Sequence, residues 1–193
     1  MIQLSAGKLL EQQLARSMGL DKYTDIMNAA REKDVSSDAA FQHAFNAFYR
    51  VRRNAEWRQC YYRLFERAKQ HRFSFADVIG SLYVETGNVE ASFSSKMIAT
   101  IDPEKPIWDQ YVLQNLGLEL KGKNPREKIG NAVEIYHQIE DWYAEYLKTD
   151  EARENIAEFD RWLPSYAWIT DVKKIDYLLW SKRTAIDEGE NGF

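Results

Sequence analysis

The stretch Val89–Leu118, VEASFSSKMIATIDPEKPIWDQYVLQNLGL, sets two ionisable residues in apolar company, thirteen positions apart. Lys96 stands beside Met97, Ile98 and Ile101. Apolar surroundings penalise the charged ammonium and favour the neutral amine, which is the nucleophilic form. Asp109 follows Pro106-Ile107-Trp108 and precedes an apolar helical run. A carboxylate at a helix N-terminus is held as an anion by the dipole and the free N–H groups. Such an anion can stabilise a developing cation, orient water or accept a proton. Amine and carboxylate together point to an addition or cleavage reaction, provided both side chains open onto one cavity. The plainer reading is an ordinary helix cap at Asp109, a surface lysine at Lys96 and a core anchor at Trp108.

Other chemistry is thin. Glu134-x-x-His137 has the spacing of a carboxylate–histidine metal pair, but His43 and His71 lack a Glu three residues earlier, so no metal site is expected. Cys60 lies on an apolar stripe with Tyr61 and Leu64 and reads as a buried, inert thiol. No glycine-rich phosphate loop, nucleophile elbow or zinc motif is present, so no cofactor is expected.

The elements that must position these residues are helical. Phe41, Ala44, Phe45 and Phe48 repeat at i, i+3, i+4, i+7. Trp57, Cys60, Tyr61, Leu64 and Phe65 repeat similarly, as do Ala132, Ile135, Tyr136, Ile139, Trp142 or Tyr143, and Tyr146. Ser37-Asp38 reads as a cap, Ser74 with Asp77 as a weak capping box, and Gly87 as a helix end. Ser92 reads as the start of the next helix, and Asp102-Pro103 as its stop. A short helix follows from Asp109 to Gly117. Asn124-Pro125-Arg126-Glu127 should open a long one running to about Thr149. Further helices are expected from Asp150 to Leu163 and from Asp171 to about Lys182. The expectation is an all-α fold of eight to ten helices in one domain, residues 1–184, with a frayed tail at 185–193.

The helix–turn–helix order Thr86-Gly87-Asn88-Val89, then a helix bearing Lys96, a short loop and an Asp opening a helix ending in Leu116-Gly117 resembles the helix-hairpin-helix DNA glycosylase (HhH-GPD) superfamily. That resemblance implies an all-helical fold, DNA as partner and N-glycosidic bond cleavage. Lys96 would attack the sugar C1′ and Asp109 would assist base departure. Gly87 and Asn88 would lie in the phosphate-contacting hairpin. The chain departs from the family in having one hairpin glycine, and in placing Lys96 nine residues after it. The string Ser92-Phe93-x-Ser95-Lys96-x3-Thr100-x2-Pro103-x2-Pro106-x-Trp108-Asp109 also resembles one in an all-helical bacterial family, a likeness that implies no activity.

Composition bounds the remaining classes. The 193 residues are 45% hydrophobic and 29% charged, which excludes general disorder, and no apolar run reaches the ~20 residues of a bilayer span. One cysteine excludes an internal disulfide. The first residues lack a charged n-region before an apolar run, so a reducing, cytoplasmic setting is expected. The net charge of −4 hides an asymmetry. Arg50 to Arg72 holds eight Lys/Arg, among them Arg50, Arg52, Arg53 and Arg58, against two Glu. Glu134 to Asp160 holds nine acids against two cations. The basic helix could track a phosphate backbone. Alternatively, the two charged regions pair with each other or serve a protein partner or a homodimer.

Overall fold

The computed structural model describes residues 4–7, 10 and 19–189. Among them all regular structure is helical. α1 is Leu20–Glu32, α2 Ala39–Phe48, α3 Ala55–His71, α4 Phe75–Thr86 and α5 Ala91–Ile101. α6 is Gln110–Leu116, α7 Pro125–Tyr146, α8 Asp150–Trp162 and α9 Asp171–Gly189, with a 3-10 turn at Pro164–Tyr166. No helix among the described residues is long and apolar enough to cross a membrane.

The chain divides into two compact units. One is Gly19–Asp102 with Leu120–Glu134; the other is Met1–Met18, Pro103–Glu119 and Ile135–Phe193. Charge follows this division. The first unit carries sixteen Lys/Arg against thirteen Asp/Glu, a net +3. The second carries ten against seventeen, a net −7. They are called the basic and the acidic unit below.

The basic unit is built on aromatic packing. Phe41 and Phe45 of α2 pack edge-on against Phe65 of α3, and α3 adds Tyr61 and Tyr62 to the same buried set. Helix ends are set by local hydrogen bonds. Asp38 and Asn54 accept from the N–H groups of Phe41 and Trp57 at 2.7 and 2.9 Å. Ser74 and Asp77 form a complete capping box on α4. The Ser74 hydroxyl and N–H hold the Asp77 carboxyl below its ordinary value. Ser92 does not open α5: the helix starts one residue earlier, with Glu90 at the cap position and no side-chain cap bond.

Two helices in this unit end on arginines in the left-handed region. Arg50 has φ 52° and Arg72 φ 50°. The N–H groups of Val51 and Phe73 reach back to Asn46 O and Ala68 O, the closing bond that usually goes with a glycine at such a place.

In the acidic unit, α7 buries the stripe Ile135, Tyr136, Ile139, Tyr143 and Tyr146. α7 stops at Tyr146 rather than Thr149, because Thr149 caps α8 by accepting from Ala152 N. Residues 4–7 lie along α8, with Leu4 N and Ala6 N donating to Glu151 and Asn155. α9 runs through Gly189, past the expected end at Lys182, since no proline or glycine interrupts it earlier. The expected tail thus continues the helix as far as Gly189, and residues 190–193 lie outside the described chain.

Candidate functional site

The turn between α4 and α5 is formed as the sequence suggests. Gly87 adopts φ 71° and donates to Tyr83 O at 2.8 Å. The Asn88 amide donates to Thr86 O at 2.9 Å. Gly87, Asn88 and Val89 line a shallow groove of about 300 Å3 whose opposite wall is Leu120, Lys123, Asn124, Pro125 and Lys128. Gly122 shapes that wall: its φ is 144°, and a Cβ there would meet Lys128 N at 2.6 Å. Any side chain would push the Lys123–Lys128 segment out of place. Sequence reading placed Gly87 and Asn88 here but not the two lysines, which come from a segment more than thirty residues on.

The arginines before and within α3 divide into two kinds. Arg53 is engaged. Its guanidinium meets Glu90 at 2.6 Å and lies 5.7 and 5.9 Å from the Trp57 and Phe93 ring centroids. Glu90 is almost wholly buried, so removing Arg53 would strand a buried carboxylate. Arg50, Arg52 and Arg58 form no ion pair among the described residues, and Arg50 and Arg52 are exposed.

Lys96 is half-buried on α5. Its ammonium donates to Ser92 Oγ at 2.5 Å and lies 5.6 and 5.8 Å from the Phe93 and Tyr49 ring centroids. Aromatic faces attract a cation. The amine therefore meets aromatic rings and a hydroxyl where the sequence suggested aliphatic neighbours. Cys60, expected buried, is partly exposed, and its sulfur accepts from Arg63 at 3.3 Å.

Asp109 belongs to the acidic unit, whereas Lys96 belongs to the basic one. It directly precedes α6, and its carbonyl accepts from Leu113 N at 3.1 Å, the opening bond of that helix. Around it is a polar network that sequence reading did not find. Tyr143, fully buried, donates to Asp176 Oδ1 at 2.6 Å. Lys173, only 3% exposed, donates to Asp176 Oδ2 at 2.7 Å and to Lys105 O at 2.5 Å. Thr170 reaches Pro103 O at 2.7 Å, and Tyr136 reaches Pro106 O at 2.9 Å. Burial, with the Asp176 and Asp109 charges added, pushes the Tyr143 phenol well above its ordinary value. Little in the sequence signalled it: Lys173 and Asp176 stand i, i+3 on α9, but at 3.6 residues per turn Lys173 falls on the face opposite Ile175 and its apolar stripe. Beside the network, Glu104, Lys105, Pro106, Glu140, Asp141 and Tyr143 line part of an open groove of about 450 Å3. Neither groove has Lys96 or Asp109 in its lining. His137 is exposed and contacts Glu140, and among the described residues no three metal-ligating side chains converge.

No protein-family model, no curated protein and no solved structure matches the chain.

Tyr143→Phe should destabilise the fold by about 1–3 kcal/mol, because Asp176 Oδ1 loses its buried donor. It should also change the alkaline response. An unfolded tyrosine ionises near pH ~10, while the folded Tyr143 keeps its proton to higher pH. Its contribution is whole below that value and is lost as pH rises toward the folded value. Urea unfolding from pH 8 to 11 should show stability falling above ~10 in the wild type and falling less in the variant.

Proposed function

We propose that the protein binds nucleic acid through the basic unit, with Arg50, Arg52 and Arg58 contacting phosphates and the Gly87–Asn88 groove contributing Lys123 and Lys128. The observation that carries this is the unpaired state of these five cations among the described residues, in a chain whose net charge is −4. A cation kept for stability would be expected near a carboxylate, as Arg53 is at Glu90 and Lys69 at Glu66. Unpaired arginines on a unit of net +3 instead attract polyanions, and phosphate contacts need charge rather than a deep pocket.

Arg50 adds a second support. A non-glycine residue in the left-handed region costs roughly 1–2 kcal/mol, offset in part by a cation's attraction to the helix C-terminus. A glycine would end α2 more easily, so the side chain is retained against a local cost.

The activity inferred is binding alone. Glycosidic cleavage forms no part of it, since neither groove is lined by Lys96 or Asp109.

Anisotropy titrations of labelled duplex and single-stranded oligonucleotides test the reading. Binding should weaken steeply with salt, and the Arg52→Gln/Arg58→Gln pair should lower the log–log slope by about 2. A salt-independent affinity, or one that the pair leaves unchanged, rejects it. Arg50→Gly should weaken binding while raising unfolding stability by up to about 1 kcal/mol. Borohydride treatment with abasic-site DNA should yield no covalent adduct. An adduct that disappears in Lys96→Ala would establish cleavage in place of simple binding.

A further inference from the structure

The end of α8 and the start of α9 form a closed corner in the acidic unit. Lys174, its side chain 5% exposed, bridges Asp160 at 2.9 Å and Asp171 at 3.2 Å. That double ion pair ties together the two ends of the segment between them. Within the segment Leu163 and Ile169 turn inward and are buried. Trp162, Pro164, Ser165, Ala167 and Trp168 face out. Trp162 is 38% exposed and Trp168 is 59% exposed. Two indoles displayed from a pinned turn are not needed for the core, which Leu163 and Ile169 already reach. Exposed rings of this size typify interaction surfaces, where tryptophan is enriched among the residues that dominate binding energy.

Charge indicates what covers them. One lysine serves two aspartates here, so the ion-pair cluster keeps a net negative charge. The surrounding unit is net −7. An anionic lipid surface or a nucleic acid would be repelled. A cationic surface would be attracted twice, by the carboxylates and by the indole faces, which take guanidinium groups well. This chain itself carries cations of that kind in the basic unit, Arg50 and Arg52, both exposed, and Arg58, none of them in an ion pair among the described residues.

We propose that the Trp162–Trp168 corner of one copy docks onto the arginine face of the basic unit of a second copy. The contact is between unlike surfaces, so it differs from a symmetric patch meeting itself. It uses the same arginines as the nucleic-acid reading but does not depend on it. Where both hold, nucleic acid and the second copy compete for one face.

Sedimentation velocity over a protein concentration series, at low and at high salt, tests this. The wild type should associate reversibly at low salt and dissociate at high salt. Trp168→Ala, at a ring that is 59% exposed, should weaken association about tenfold or more. Trp162→Ala should act in the same direction. Both tryptophan variants should bind oligonucleotides at least as tightly as the wild type, whereas Arg52→Glu should lose self-association. A wild type that stays monomeric throughout overturns the proposal, as does association that neither tryptophan variant weakens. A monomer whose tryptophan fluorescence responds to an octa-arginine peptide would also overturn it, assigning the corner to a different, basic protein. If oligonucleotide binding fails while association and its Trp168 dependence remain, only the nucleic-acid reading falls.

Discussion

Backbone carbonyls along Pro103–Trp108 impose the constraint on which the acidic unit depends. Prolines at 103 and 106 lack N–H groups and push the residues before them out of helical geometry. The segment therefore has no helical ladder to satisfy its carbonyl oxygens. Buried carbonyls left unpaired are costly, so side chains must supply the donors. Thr170, Lys173 and Tyr136 do so at positions 103, 105 and 106 in turn. Using a lysine for one of these bonds has consequences. A buried ammonium needs a counter-charge, which Asp176 provides, and the second oxygen of that carboxylate needs a donor, which is Tyr143. One turn-forming segment thus dictates three neighbouring polar choices on α7 and α9.

The basic unit solves a different problem. Its core is unusually aromatic, and aromatic rings offer negative faces to cations as well as area to bury. Arg53 and Lys96 both take such faces, flanking Phe93. With Arg67 over Phe73, this consumes three of the unit's cations in packing and leaves Arg50, Arg52 and Arg58 outside it. The distinction between a cation that holds the fold and one that is available to a ligand follows from which ring or carboxylate lies within reach. Charge counting along α3 does not reveal it.

Much of the architecture was legible as periodicity and punctuation. The α2, α3 and α7 stripes, the Asp38, Ser74 and Asn124 caps and the Gly87 stop all depend on residues a few positions apart, and local rules cover that range. α1 went unread because it has no start signal: Gly19 stands at its cap position and no side chain caps it. Ser92 was misassigned because a serine near a helix start has two uses. Here its hydroxyl takes the bond from Lys96 one turn later, and no side chain caps the helix.

From its own order of residues, then, the chain determines an all-helical fold, the places where most helices begin and end, and a turn at Gly87–Asn88. It also determines that positive and negative charge lie in separate stretches. Tertiary structure alone decides that Lys123 and Lys128 face that turn and that Arg53 belongs to Glu90. It also turns the Lys96 amine toward rings and ties Lys173, Asp176 and Tyr143 into one network. The physical reason is range. Capping and periodic burial act over one or two helical turns, while ion pairing, ring contacts and buried hydrogen bonds act between whichever groups the packed chain brings within a few ångströms, regardless of their separation in sequence.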